Sequence, residues 1–179
     1  MTSSPPQPRR AADPPDRPGW EIKLRPVQEG DRELLLDLYA STRAEELKPV
    51  PWTAEEKKQF IAMQFSAQTT HYAQHYPGMS RDVVLVNGSP AGRLLVERWP
   101  QEIRIVDIAL LPEFRGRSVG THLLLRLQRE AAESARILTI HVERFNPALR
   151  LYERLGFRMV EDKGVYLLME WRSDRASTN

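Results

Sequence analysis

The chain has 179 residues, of which 41% are hydrophobic and 28% are charged, so it is expected to bury one core as a single soluble domain. A formal net charge of +2 gives no support for a nucleic-acid-binding protein. The absence of cysteine excludes a disulfide framework, a thiolate zinc site and a cysteine nucleophile.

The ends of the chain differ from its middle in composition. Residues 1–19 are rich in proline and almost free of large apolar side chains, which is typical of a disordered segment. We therefore expect a folded domain over residues 20–172 and a second flexible tail at 173–179. No apolar run is long enough for a membrane span or a secretory signal, which predicts a cytoplasmic protein without membrane contacts.

The first half of the domain has the pattern of a strand, two helices and a three-stranded meander. The expected ranges, in chain order, are 21–27, 31–41, 53–76, 82–86, 92–98 and 103–111. The second helix begins near Thr53, with acidic residues in its first turn, and is stopped by Pro77-Gly78. The pair Asn87-Gly88, within the Asn-Gly-Ser-Pro segment 87–90, is a strong hairpin signal between two apolar runs.

The second half adds a helix, a strand, a short helix and a final hairpin. The expected ranges are 120–134, 136–142, 147–155, 157–160 and 165–171. A strand, helix and strand in this order normally form a parallel crossover. The whole order predicts an α/β fold with a central mixed sheet of about seven strands and helices on both faces. An exposed final strand would support a homodimer.

A short basic loop follows the third strand of the meander and opens a helix. Its sequence is Arg115-Gly116-Arg117-Ser118-Val119-Gly120-Thr121. The first turn of a helix has N–H groups without partners and a positive partial charge, and glycines allow a close backbone approach. The spacing fits neither a P-loop nor a dinucleotide-binding motif. The loop therefore predicts either a phosphate-bearing ligand of another kind or an ordinary solvated turn.

This loop and a segment downstream of it carry two motifs. The loop fits Gln/Arg-x-x-Gly-x-Gly/Ala, with Arg115 first, Gly120 last and Ser118 in place of the usual glycine. Downstream, Asn146 is followed six residues later by Tyr152 and then by Gly-Phe at 156–157, one residue fewer than the commoner spacing. Together the motifs resemble those of the GNAT superfamily of acyl-coenzyme A dependent acetyltransferases.

The resemblance implies an N-acetyltransferase that uses acetyl-CoA as a cosubstrate, needs no metal, and lets a primary amine attack the thioester directly. It also implies an open V between the fourth and fifth strands, which holds the pantetheine arm. Tyr152 would protonate the departing thiolate. The coenzyme contacts it implies are Ile108, Ala109, Leu110, Arg115, Gly116, Arg117, Ser118, Val119, Gly120, Thr121, Asn146 and Tyr152.

A free amine is mostly protonated at neutral pH, so acetyl transfer needs a base or a chain of water molecules. Alternation along the strand at 136–142 and the residue after it places His141 and Glu143 on one side, and Asp107 lies on the neighbouring strand. These three residues are the candidate bases. His141 has the alternative of a structural role, and Asp107 that of pairing with an arginine such as Arg104.

The acceptor is left open between small-molecule and peptide amines. The aromatic residues of the helix at 53–76 are candidates for its specificity, or else they pack the helix onto the sheet. His71 and His75 lack the glutamate of a metalloprotease motif, so no metal is expected there. A non-catalytic acyl-CoA sensing module is the alternative function. An adaptor that binds polyanions through its arginines is disfavoured by the low net charge.

Overall fold

The computed structural model describes residues 20–173. The two tails predicted at 1–19 and 173–179 therefore lie outside the described residues, apart from Ser173. Within the described range, no helix is both long and apolar enough to cross a lipid bilayer.

The elements follow the predicted order. They are β1 Ile22–Pro26, α1 Arg32–Leu47, α2 Ala54–His75, β2 Ser80–Val86, β3 Ser89–Arg98, β4 Glu102–Leu110, α3 Val119–Glu133, β5 Ile137–Glu143, α4 Leu149–Arg154, β6 Arg158–Asp162 and β7 Tyr166–Trp171. Short 3-10 turns cover 29–31 and 112–114.

Two local signals are confirmed by the structure. Thr53 caps α2, because its hydroxyl oxygen accepts from the Glu56 N–H at 3.2 Å and the Glu56 carboxylate accepts from the Thr53 N–H at 2.7 Å. Asn87 and Gly88 both have positive φ, at 50° and 80°, so they form a two-residue hairpin turn. Ser89 and Pro90, expected in the turn, already belong to β3.

Two helix boundaries differ from the sequence expectation by more than one residue. α1 was expected to end at Ser41 but continues to Leu47, which packs with Tyr39 in the cluster between α1 and α2. α4 was expected from Pro147 but begins at Leu149. The Asn146 side chain accepts from the Ala148 N–H at 2.8 Å, so a turn precedes this helix.

All strands belong to one seven-stranded mixed sheet in the order β1-β2-β3-β4-β5-β7-β6, as expected for the fold class. The β4–β5 pair is parallel and the other neighbouring pairs are antiparallel. The expectation of an exposed final strand is wrong. β7 pairs with β5 on one side and β6 on the other, so β6 is the edge strand.

Helices cover both faces of the sheet. Leu123, Leu124 and Leu127 of α3 share the main core with the sheet residues Ile103 and Ile105. On the other face, the side chain of Arg93 in β3 reaches Gln68 and Phe65 of α2. The α1–α2 layer and the α3–α4 layer therefore enclose the sheet, which places β4 and β5 at the centre of the molecule.

Candidate active site

The parallel strands β4 and β5 separate half-way along their length. They pair only from Glu102 to Ile105 on β4 and from Ile137 to Ile140 on β5, although β4 continues to Leu110. A β-bulge causes a bend at this point, because Leu95 lies opposite Asp107 and Val96 opposite Ile105, which leaves Val106 without a partner. The strands beyond the bulge form the open V that the resemblance implied.

The backbone of β4 presents alternate peptide groups to this V. The Leu111 N–H donates to the Ala91 carbonyl at 2.8 Å, and hydrogen-bonded pairs alternate along an antiparallel ladder. The next such pair is Arg93 with Ala109, so the peptide groups of Ala109 face β3. Those of Ile108 and Leu110 face the V. Of the three residues expected to bind pantetheine, Ile108 and Leu110 are therefore the ones whose peptide groups face the V, and the Leu110 carbonyl already accepts from Arg115 Nε.

The loop after β4 leads directly into the first turn of α3. Gly116 and Ser118 both have a φ of 66°, in the left-handed region. The N–H groups of Val119, Gly120 and Thr121 lie in the first turn, where the helix itself offers no acceptor. The loop and the helix start thus form a concave backbone with positive partial charge, as a diphosphate requires.

The two arginines of the loop are held by other parts of the protein. Arg115 donates through Nε to the Leu110 carbonyl at 2.8 Å and through Nη2 to the Ser41 hydroxyl at 2.9 Å. The Arg117 guanidinium lies 5.8 Å from the ring centre of Trp20. Both guanidinium groups are therefore in contact with residues outside the loop. Arg115 in addition joins the loop to α1, a contact that the loop motif does not indicate.

Tyr152 projects from α4 into the main core and is only 4% exposed. Its ring packs edge-on against Phe157, with 5.7 Å between the ring centres. No described residue hydrogen-bonds its hydroxyl, yet every buried polar side-chain atom of residues 20–173 has a partner. The hydroxyl therefore reaches solvent. Burial raises the pKa of Tyr152, and the nearby Asp107 carboxylate raises it further, so the phenol keeps its proton.

Asp107 pairs with Arg93 rather than with Arg104. The Arg93 Nε donates to Asp107 Oδ2 at 2.5 Å, and its Nη2 donates to Gln68 at 2.7 Å. The Asp107 side chain is 22% exposed to solvent, whereas the Arg93 side chain is 7% exposed. None of the described residues donates to Oδ1, so one carboxylate oxygen is available to a ligand or to water. Asp107 also acts electrostatically on Tyr152 and on Tyr72 of α2.

His141 lies on β5, one residue beyond the last β4–β5 pair. Its Nδ1 is 3.3 Å from the Arg104 guanidinium, which can only donate, so this ring nitrogen is the acceptor and Nε2 carries the proton. Burial lowers the pKa of His141, and the charge of Arg104 lowers it further. The imidazole is therefore neutral at pH 7, and its lone pair is directed at Arg104.

Glu143 ends β5 at the mouth of the V. Its carboxylate is 3.6 Å from the Arg43 guanidinium of α1, and its side chain is 40% exposed. Asn146 lies on the loop that follows, where its side-chain oxygen forms the turn before α4. Asn146 thus has a local structural contact, and its amide nitrogen has no partner among the described residues.

Helix α2 covers the part of the sheet that carries Asp107 and Arg93. Tyr72 is half-buried and within electrostatic range of Asp107, Arg93 and Tyr166. His71 and His75 stack with 4.0 Å between ring centres. In the part of the chain that the structure describes, no group of three or more His, Cys, Asp or Glu side chains is placed to hold a metal ion.

Several residues of the site were not identified from the sequence. They are Ser41, Arg43, Gln68, Arg93 and Tyr166. Arg93 could have been found, because it is the only charged residue between Ala91 and Val96, in an otherwise apolar strand. A charged residue in such a run is normally buried with a partner of opposite charge.

Comparison with known proteins bears on the family and the fold. Residues 33–157 match the sequence model of the acetyltransferase (GNAT) family. Among solved structures, a PaiA N-acetyltransferase from Thermoplasma acidophilum in complex with coenzyme A has a TM-score of 0.65 at 16% identity, covering 86% of this chain and 99% of that chain. No curated protein sequence matches significantly.

Two further solved structures show the same fold. An acetyltransferase from Thermus thermophilus has a TM-score of 0.60 at 20% identity and covers 85% of this chain and 97% of that chain. A GNAT family acetyltransferase from Elizabethkingia anophelis with acetyl-CoA bound has a TM-score of 0.54 at 16% identity, with coverages of 85% and 98%. Identities at this level show the fold alone.

Proposed function

Since the chain belongs to the acetyltransferase (GNAT) family and is therefore an acetyltransferase, we propose that it transfers the acetyl group of acetyl-CoA to a primary amine. The amine attacks the thioester directly, which forms the N–C bond and breaks the C–S bond. The observation that carries this proposal is the Tyr152 hydroxyl, a protonated group in an otherwise buried residue, to which none of residues 20–173 hydrogen-bonds.

Acetyl-CoA supplies an activated thioester, and the residues around the V fit such a ligand. The peptide groups of Ile108 and the N–H of Leu110, whose carbonyl already accepts from Arg115, face the V and match the amides of pantetheine. The N–H groups of residues 116–121, with the charges of Arg115 and Arg117, match the diphosphate. The amide of Asn146 is a further candidate contact. Two of the similar structures contain coenzyme A or acetyl-CoA, which supports this choice of cosubstrate.

Two proton transfers accompany the reaction, and the site offers a group for each. Tyr152 is proposed to donate its proton to the departing thiolate, because its raised pKa keeps it protonated at neutral pH. The attacking amine must lose a proton. Asp107 is the favoured acceptor, directly or through water, because its Oδ1 is open while the lone pair of His141 is directed at Arg104. Glu143 stands farther out, at the mouth.

The first experiment compares Tyr152→Phe with the parent protein. Loss of a proton donor should lower kcat by roughly 100-fold, while the acetyl-CoA affinity measured by calorimetry stays within about twofold. Thiol release and mass spectrometry of an amine library measure turnover. Tyr76→Phe is the matched control, because the Tyr76 ring packs against Trp99, away from the V, with 6.0 Å between ring centres.

Three results would contradict the proposal. Equal turnover in Tyr152→Phe would remove the role of the tyrosine. Binding of acetyl-CoA without acetylation of any amine would favour the sensing module. If Asp107→Asn kept full activity and His141→Asn lost it, the base would be the histidine.

A further inference from the structure

An exposed apolar patch lies at the C-terminal end of β5. Phe145 is 92% exposed and Val165 is 69% exposed, although both are large and hydrophobic. With Glu143, Arg144 and Gly164 they line an open cavity of about 420 Å³. This volume lies within the range of roughly 300–1,000 Å³ that is typical of small-molecule sites. Exposed apolar side chains grouped around a cavity indicate a binding surface.

The loops that carry the patch are held in place by Arg144. Its Nη2 donates to both oxygens of Asp162 at 2.6 Å, and its Nε donates to the Gly164 carbonyl at 3.1 Å. The Arg144 backbone N–H donates to the Val165 carbonyl at 3.0 Å. Phe145 and Val165 are therefore exposed on a braced pair of loops, and Asp162 already neutralises the charge of Arg144.

The cavity adjoins the proposed site of acetyl transfer through Glu143, which lines the cavity and ends β5 at the mouth of the V. Tyr166 lies opposite Glu143 in the β5–β7 pair, so both side chains are on the face of the sheet that carries His141. Tyr166 acts electrostatically on Tyr72, which in turn is within range of Asp107. An acceptor whose amine reaches Asp107 would thus extend past Tyr166 toward the cavity.

The charges of the cavity restrict the class of acceptor. Its lining contributes one carboxylate that is not closely paired, that of Glu143, since Arg43 is shared between Glu143 at 3.6 Å and Glu46 at 3.1 Å. The remaining surface is apolar or neutralised. One positive charge and an apolar body complement this arrangement, whereas a polyamine would leave further charges against apolar surface without partners.

We propose that the cavity between Phe145 and Val165 binds the apolar part of the acceptor, and that the acceptor is a monoamine with an aromatic or branched aliphatic group. Glu143 guides the amine as a cation before it loses its proton farther in. This proposal rests on the proposed function, because it names the substrate class of the same site.

The test measures kcat/KM for three amines: 2-phenylethylamine, ethanolamine and 1,3-diaminopropane. We expect 2-phenylethylamine to be preferred by at least about tenfold over each of the others, which is the ordinary value of one aromatic contact. Phe145→Ala should lower kcat/KM for 2-phenylethylamine by about tenfold and leave that for ethanolamine within about twofold. Met159→Ala is the matched control, since this exposed methionine lies on β6 and does not line the cavity.

The failures of the two proposals are distinguishable. Preference for the diamine or for ethanolamine, or equal losses for both amines in Phe145→Ala, would overturn the acceptor assignment alone. A weaker acetyl-CoA affinity in Phe145→Ala would also overturn it, because the residue would then belong to the coenzyme site. If acetyl-CoA binds and no primary amine is acetylated, the proposed function fails and the acceptor class fails with it.

Discussion

The ion pair between Arg93 and Asp107 offers a stringent test of the site geometry. The perturbation is Arg93→Met, which keeps the length and most of the apolar stem of the side chain but removes its charge. The change leaves the Asp107 carboxylate without its donor at 2.5 Å and leaves Gln68 without its donor at 2.7 Å. It also removes the guanidinium that lies 5.9 Å from the ring centre of Phe65.

The magnitude follows from burial. Removing one partner of a buried ion pair costs roughly 3–5 kcal/mol, because the other charge stays out of water without compensation. The Arg93 side chain is 7% exposed, but Asp107 keeps 22% and so retains some hydration. We therefore expect Arg93→Met to lower the free energy of unfolding by about 3 kcal/mol, at the lower end of that range.

Urea denaturation at pH 7 measures this loss. Arg172→Met is the control, because Arg172 pairs with Glu170 at the surface and is 61% exposed, so its loss should cost at most about 1 kcal/mol. The double variant with Asp107→Asn should cost less than the two single changes added together, by roughly 2 kcal/mol. An Arg93→Met protein as stable as Arg172→Met would refute the buried pair and the carboxylate orientation derived from it.

Two further predictions concern α3 and the acid stability of the fold. Ser118 and Ala135 flank α3 with φ values of 66° and 51°, so glycine at either position should raise the free energy of unfolding by up to about 1 kcal/mol in urea denaturation. Only Ser118→Gly should also alter acetyl-CoA affinity. A loss of stability in both variants would contradict the assignment of left-handed backbone at these two positions. Hydrogen bonds from Arg25, and then from the Gln28 N–H, lower the pKa of Asp31 to about 2. Because this folded pKa lies below the unfolded value of about 4, the stabilisation is complete above that pH and is lost as the pH falls through about 2. The Asp31→Asn variant should therefore lose less stability than the parent between roughly pH 5 and pH 2, and parallel curves would disprove the effect.

The parts of the fold that the sequence predicts are those decided by neighbouring residues. The turn at Asn87-Gly88 and the cap of α2 by Thr53 and Glu56 each depend on a few adjacent residues, and the structure contains both. The order of β6 and β7 in the sheet, by contrast, is not decided by neighbouring residues. A hairpin can join a sheet through either of its strands, and the choice of β7 depends on its packing against β5. Local pattern does not contain that information.

The residues of the site also divide into those that a short segment of sequence indicates and those that depend on distant parts of the chain. The loop from Arg115 to Gly120 and the position of Tyr152 were found as motifs, because each lies in one short segment. The partner of Asp107 was not. Asp107 follows Arg104 by three residues, so regular alternation would put the two on opposite faces of β4. The bulge at Val106 returns Asp107 to the face of Arg104 and, by register, sets it beside Arg93.

The same bulge accounts for how the two proposed proton transfers are separated. By bending β4 away from β5 it opens the V, and by adding one residue it directs Asp107 toward the α1–α2 layer. Tyr152 belongs to the core beneath the α3–α4 layer, on the other face of the sheet. The thioester in the V would thus meet its proton donor from one face and the incoming amine with its base from the other. With these groups on opposite sides, the proposed amine would reach the carbonyl carbon without displacing the donor from the sulfur.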